Sequence, residues 1–191
     1  SNVIDKFPFS VDTNASDVGD LTAAKSQQHG TGSITHGYAS NGASGGAINV
    51  IEKFPYAVDT NATDVGDTTA SADRVCGGFG PHTTTVGHRI GGIDTSPGRV
   101  TTIDSFPFSV DTNATDVGDI TAGRIDMSGH SSNVDGYVSA GSEDPGRVNK
   151  IEKFPFASNG TATDVGDLTQ TRSATRSGTS SQTSGHVAGG A

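Results

Sequence analysis

Apolar residues come in short bursts along this chain, never at helical spacing. "IDKFPF" from Ile4, "IEKFPY" from Ile51, "IDSFPF" from Ile103 and "IEKFPF" from Ile151 are each bounded by Gly, Asn, Asp or Ser. Short apolar runs between turn formers predict β-strands. In each burst the Ile and the first aromatic ring fall on opposite faces of a strand, while the two rings share one face. Both faces are therefore apolar. A sandwich strand normally has one dry face and one wet one, whereas strands pressed between neighbouring sheets lose that alternation. Pro8, Pro55, Pro107 and Pro155 have no N–H to give to a ladder and predict outer edges or strand ends.

A second phrase follows each burst: "NASDVGDLT" from Asn14, "NATDVGDTT" from Asn61, "NATDVGDIT" from Asn113 and "TATDVGDLT" from Thr161. The first Asp of DVGD falls at 17, 64, 116 and 164, giving steps of 47, 52 and 48 residues, the period of propeller blades. Weaker echoes ending in glycine lie between, at 35–42, 86–92, 134–141 and 184–190. One unit reads as strands over about 2–9, 17–24, 26–34 and 35–41, the content of a blade. The chain opens with a "NVIDKF" strand and closes with "SGHVAGGA", the partner such a strand normally follows. Pairing the two would complete a blade and remove two open edges. The expected fold is all-β: a single repeat domain over 1–191, with units of about 2–47, 48–100, 101–148 and 149–191. These form a β-propeller of four roughly 48-residue blades, closed by pairing of N- and C-terminal strands. A β-solenoid, or part of a larger ring, is the alternative. The Ser/Thr-rich stretch 169–185 keeps register with 22–35 and reads as a degenerate repeat.

Composition narrows the function. Hydrophobic residues are 31%, there are 27 glycines and Trp is absent, which favours short strands over long amphipathic helices. Twelve Lys and Arg against 21 Asp and Glu give a net charge of −9, so nucleic acid and anionic membrane are poor partners. Cys76 is the single cysteine, which excludes an intrachain disulfide and the Cys-rich zinc patterns. No window approaches the roughly 18 to 20 apolar residues of a membrane span, and the N-terminus lacks a signal organisation. A mature, soluble chain is expected. The missing initiator Met fits processing, trimming or a segment of something larger.

The glycine pairs Gly91-Gly92 and Gly189-Gly190, the "IDKF"-type strand and a basic residue soon after DVGDLT (Lys25, Arg124, Arg172) together resemble a kelch-type propeller repeat. The fuller phrase, FPF through NATDVGDLT to HGY-x-S-x-G, is similar to repeats of virion-associated proteins of marine and cyanobacterial phages and of bacterial surface proteins. The likeness covers almost the whole chain, though the Trp usual in kelch blades is missing. It implies a propeller on a virion or extracellular surface, and no chemistry.

The acidic phrase has two readings. Asp12, Asn14, Asp17 and Asp20 supply hard oxygens resembling a calcium loop, repeated at Asp59, Asn61, Asp64, Asp67 and at Asp111, Asn113, Asp116, Asp119. Against calcium, Ala15 and Ser16 occupy the middle of the loop and the fourth copy lacks its first carboxylate. The competing reading is scaffolding: Asp12 and Asn14 build an Asx-type turn, Asp17 accepts backbone N–H groups, and Gly19 sits where a Cβ would clash. Scaffolding is preferred, because a site present in every unit usually serves the folding of the unit. Each copy also holds an N-x-Ser/Thr acceptor, from Asn14, Asn61, Asn113 and Asn159, read here as turn chemistry.

His36, His88 and His186, with Asp135 in the third unit, would make a transition-metal set if symmetry brought them to a central channel. A hydrogen-bonded structural role is preferred, and His29, His82 and His130 are expected to face solvent. No G-x-S-x-G elbow or P-loop occurs. The expectation is a non-enzymatic structural or interaction module, an exterior virion component such as a tail fibre or decoration protein, or a surface adhesin. It would present loops 75–85 and 142–148 to a protein or glycan, or to other virion or surface proteins. Phe79, Tyr38 and Tyr137 are the candidate contacts. The alternatives are a calcium-stiffened adhesin and a glycan-active propeller enzyme using Glu143 and Asp144.

Overall fold

The computed structural model describes residues 1–77, 85–94, 98–175 and 178–191, and among these there is no helix. β1 (Val3–Lys6) pairs with β2 (Ser16–Asp20) as sheet I. Sheet II runs β3 (His29–Gly32), β4 (His36–Ser40), β5 (Val50–Pro55), β6 (Thr63–Asp67). Sheet III repeats the order with β7 (Cys76–Gly77), β8 (Val86–Ile90), β9 (Thr102–Pro107), β10 (Thr115–Asp119). Sheet IV does so with β11 (Ser128–Ser131), β12 (Asp135–Ser139), β13 (Val148–Pro155), β14 (Thr163–Arg172). Sheet V is the hairpin of β15 (Gly178–Ser180) and β16 (Gly185–Val187). Every pairing is antiparallel.

The sheets are offset from the sequence repeat by half a period, so that each full sheet takes two strands from one unit and two from the next. The strand expected over 17–24 stops at Asp20, where the chain leaves sheet I for sheet II. The expected 26–34 shortens to His29–Gly32. Pro55, Pro107 and Pro155 close their strands, as a residue without an N–H should. The pairing expected between the chain's first and last strands is not formed: β1 bonds to β2 and β16 to β15. The sheets pack in chain order, β3 near β7 and β8, and β11 near β7, β15 and β16.

The apolar clusters lie between successive sheets. Leu21 and Ile4 of the sheet I side meet Ala39, Phe54 and Ala62. Tyr38, Ile51 and Val65 of sheet II meet Phe106, Phe108 and Ala114 of sheet III. Ile90, Ile103 and Val117 of sheet III meet Met127, Val138, Phe154, Phe156 and Ala162 on the sheet IV side. This explains the apolar character of both parities: one face of each sheet packs forward and the other backward. A β-bulge marks the outermost pair in sheets I to IV, with Val18, Val65, Val117 or Val165 as the extra residue. Within sheets II, III and IV the tip of a phenylalanine ring sits over the facing glycine: Phe54 on Gly37, Phe106 on Gly87 and Phe154 on Gly136. Any Cβ there would enter the ring.

The backward face carries a buried acid. Glu52 accepts from Thr22 N–H and Oγ1, both at 2.5 Å, and pairs with Lys25. Glu152 accepts from Thr121 N–H at 3.1 Å and from its hydroxyl, and pairs with Arg124. Asp104 accepts from Thr69 N–H at 3.0 Å and Oγ1 at 2.5 Å, and its cation is Arg89 at 3.3 Å. Arg89 compensates for a local change. The position equivalent to Lys25 and Arg124 is Ala72, and the β8 residue equivalent to Ala39 and Val138 is Arg89, so the guanidinium enters the same space from the other strand. Glu152→Ala is expected to cost about 3–5 kcal/mol, since it takes from the buried Arg124 guanidinium its closest carboxylate. Lys6→Ala, which breaks the exposed pair with Asp59, is expected to cost about 0–1 kcal/mol. Urea melts of the two variants check the contrast.

Candidate functional site

The acidic phrase is where sequence reading places chemistry, and its side chains are engaged partly within their own bulge and partly between sheets. Asp17, Asp64, Asp116 and Asp164 each accept the N–H of the glycine two residues on, at 2.9–3.1 Å, across the bulge. Asn61 Oδ1 accepts the N–H of Asp20, and Asn113 Oδ1 that of Asp67, both at 3.0 Å, so these amides bridge sheets where a local turn was expected. Backbone bonds run alongside: Ala62 N–H to Asp20, Ala114 N–H to Asp67 and Ala162 N–H to Asp119. Asp59 pairs with Lys6, and Asp111 with Lys53 at 2.5 Å. Asp119 accepts from the Thr101 hydroxyl at 2.6 Å. Gly66, at φ +151°, would put a Cβ 2.5 Å from the Thr112 carbonyl oxygen of the next sheet. Asp12 and Asn14 stand exposed. Among the described residues no group of three or more His, Cys, Asp or Glu side chains comes together as a metal site.

The histidines divide differently from the expectation. Strand register aligns His36 with Val86 and Asp135, facing Pro55, Pro107 and Pro155, and aligns His88 with Tyr38 and Tyr137, facing Ser105, Lys53 and Lys153. His36, His88 and Asp135 are thus not one ring of equivalent side chains. His36 Nδ1 lies 2.9 Å from Thr35 Oγ1, and Asp135 is 3.9 Å from Lys153 Nζ. His88 is buried, its ring stacked on Phe156 at 5.1 Å. His130, expected in solvent, is also buried, with Nε2 2.8 Å from Ser139 Oγ and Nδ1 3.2 Å from the Thr179 carbonyl oxygen. His29 is half-buried; His82 lies outside the described residues.

Of the proposed contacts, Tyr38 sits on β4 and is buried, stacked on Phe108 at 4.6 Å with its hydroxyl 3.4 Å from the Phe108 carbonyl oxygen. It is packing at a sheet junction where a loop contact was expected. Phe79 and most of loop 75–85 lie outside the described residues. Glu143 is held by Lys150 at 3.0 Å and lies 3.5 Å from Arg124, while Asp144 points outward, 3.4 Å from Arg99. They are consecutive side chains with separate cations, not a facing pair.

Tyr137 lines a large opening. A cavity of about 500 Å³ lies between sheet IV and the β15–β16 hairpin, lined by Tyr137, Ile151 and residues 167–169 and 172 on one side and by Ser184, Gly185 and Val187 on the other. Its size suits a ligand or a chain segment. Ser139 and His130 border it and are buried and bonded to each other. Thr169 and Arg172 on its wall repeat Thr121 and Arg124 of the preceding unit.

Burial lowers both His88 and His29 from the ordinary 6.5 to about 4. The folded protein holds these rings neutral, while the unfolded chain protonates its histidines as pH falls through 6.5. Stability is therefore present above 6.5 and is lost between 6.5 and 4, each ring costing up to about 1.4 kcal/mol per pH unit in that window. His88→Tyr, the residue at the equivalent positions 38 and 137, is expected to remove its share. Urea midpoints of both proteins at pH 7, 5.5 and 4.5 measure the difference. No protein-family model matches the chain, and no curated protein resembles it closely enough to lend it a family.

Proposed function

We propose that this chain is a non-enzymatic structural or interaction module of the kelch-like propeller kind, on the exterior of a virion or a cell. Sheets II, III and IV are three blades, and sheets I and V are complementary halves of a fourth. A four-bladed ring results where the two halves join. What carries the reading is the use of the acidic phrase: Asp17, Asp64, Asp116 and Asp164 each fix their own bulge, while Asn61, Asn113, Asp59 and Asp111 tie one sheet to the next. A scaffold of this construction leaves the variable loops, 142–148 among them, to meet a protein or glycan partner.

Two measurements test it. Chelation of divalent cations is expected to leave the melting temperature unchanged, since the phrase binds backbone and lysine in place of calcium; a lower melting temperature after chelation would establish the calcium-stiffened adhesin. Glycan substrates are expected to survive incubation with the protein. Turnover that disappears in Glu143→Gln or Asp144→Asn would replace the scaffold with an enzyme.

A further inference from the structure

The β15–β16 hairpin is joined to sheet IV by a different kind of contact from the one that joins sheets II, III and IV to each other. Its strands read Gly-Thr-Ser and Gly-His-Val, and among the described residues none from 178–191 belongs to an apolar cluster. Polar contacts and close backbone approach hold it in place, and they converge on the ring of His130 on β11.

His130 is 4% exposed. A Cβ on Gly178 would stand 2.9 Å from its Cε1, and one on Gly185 would stand 3.2 Å from its Cγ and Nδ1. The ring thus fills the place of two missing side chains, one on each strand of the hairpin. Both of its nitrogens are engaged. Nδ1 lies 3.2 Å from the Thr179 carbonyl oxygen, which can only accept, so Nδ1 carries the proton. Nε2 is then the acceptor for the Ser139 hydroxyl at 2.8 Å. Alongside, Ser131 N–H donates to Ser180 Oγ at 3.2 Å. Strand register makes His130 the equivalent of Thr31 on β3 and Thr179 on β15, so of these three positions only this one titrates.

Among the described residues packed on the ring there is no carboxylate. Its neighbours are Ser139 and the Tyr137 phenol on β12, Thr179 and Ser180 on β15, and His186 on β16. Asp135, further along β12, is taken by Lys153 at 3.9 Å, and Asp167 and Arg172 of β14 line the adjoining cleft together. Cys76 of β7 lies in the apolar cluster with Val138, on the opposite face of sheet IV. A second proton on Nε2 would meet a hydroxyl that donates to it, in a space closed to water, and would stand against His186 as that residue charges. Burial holds the ring below the ordinary 6.5 against the Thr179 carbonyl, which favours the proton, and His186 adds to the lowering.

We propose that His130 is the pin of an acid-released latch: protonation of its ring frees the β15–β16 hairpin from sheet IV while sheets II and III stay folded. Released, the ring reaches water and takes its proton at the ordinary value; docked, it stays neutral. Docking is therefore at full strength above pH 6.5 and weakens by up to about ten-fold per pH unit as pH falls below it. The contacts lie wholly between sheets IV and V, so the latch rests neither on the joining of sheets I and V nor on partner display by the loops. Where sheets I and V do join, its release opens the ring.

His130→Gln keeps a donor for Thr179 and an acceptor for Ser139 but does not titrate, and His29 and His88 are present in both chains. Hydrogen exchange read by mass spectrometry at pH 7, 6 and 5, corrected for the intrinsic effect of pH, compares the two. The expected result is a fall in protection of 178–187 between pH 7 and pH 5 that is about ten-fold larger in wild type than in the variant, with peptides of sheets II and III changing alike in both. Equal falls in 178–187, or a difference between the chains that is the same in every sheet, would overturn the latch. In wild type, nuclear magnetic resonance adds a reading that needs no variant. The amide signals of Thr179 and Val187 are expected to leave their folded positions with the midpoint of the His130 ring, and folded hairpin signals beside a protonated ring would overturn it equally.

Discussion

The arrangement of sheets depends on one requirement: a carboxylate removed from water must be given a cation and hydrogen-bond donors. Glu52, Asp104 and Glu152 are fully buried, and in each case the donors come from a threonine on the segment leaving the previous sheet. Because the acid sits on one sheet and the threonine on the chain before it, the interaction can be satisfied only when two sheets are correctly apposed. Apolar burial between sheets supplies driving force without direction. The clasp supplies the registration.

The Ala72 and Arg89 exchange shows how strictly this requirement is met. In the second junction the cation has moved to the neighbouring strand, and the space it vacated is filled by alanine. The aromatic and glycine pairs behave in the same way. A ring over Gly37, Gly87 or Gly136 fills the surface that a missing Cβ leaves, so small and large residues are matched across the strands. Such matching makes each junction specific while the loops between strands are free to vary.

Much of the strand content was legible locally. The period of 47 to 52 residues, the prolines at strand ends, the capture of a glycine N–H by Asp17 and the apolar character of both strand faces all follow from short-range pattern. Less legible were the roles of residues whose partners are distant. The equivalence of His88 with Tyr38, and not with His36, is fixed by a register that flanking sequence does not define. The burial of His130 depends on a hairpin some 50 residues away, with Thr179 as its acceptor. Likewise Asn61 and Asn113, which look like turn residues, take their donors from the preceding sheet.

By itself, then, the sequence determined an all-β chain of repeating short strands with an acidic, glycine-marked turn in each repeat, because strand period and turn chemistry are properties of neighbouring residues. Tertiary structure decided which two strands from one repeat join two from the next, that Glu52, Asp104 and Glu152 lie buried at sheet junctions, and that β1 pairs with β2 and β16 with β15 and not with each other. Those outcomes turn on how each sheet sits against the one before it, a relation between residues far apart in the chain that local pattern does not encode.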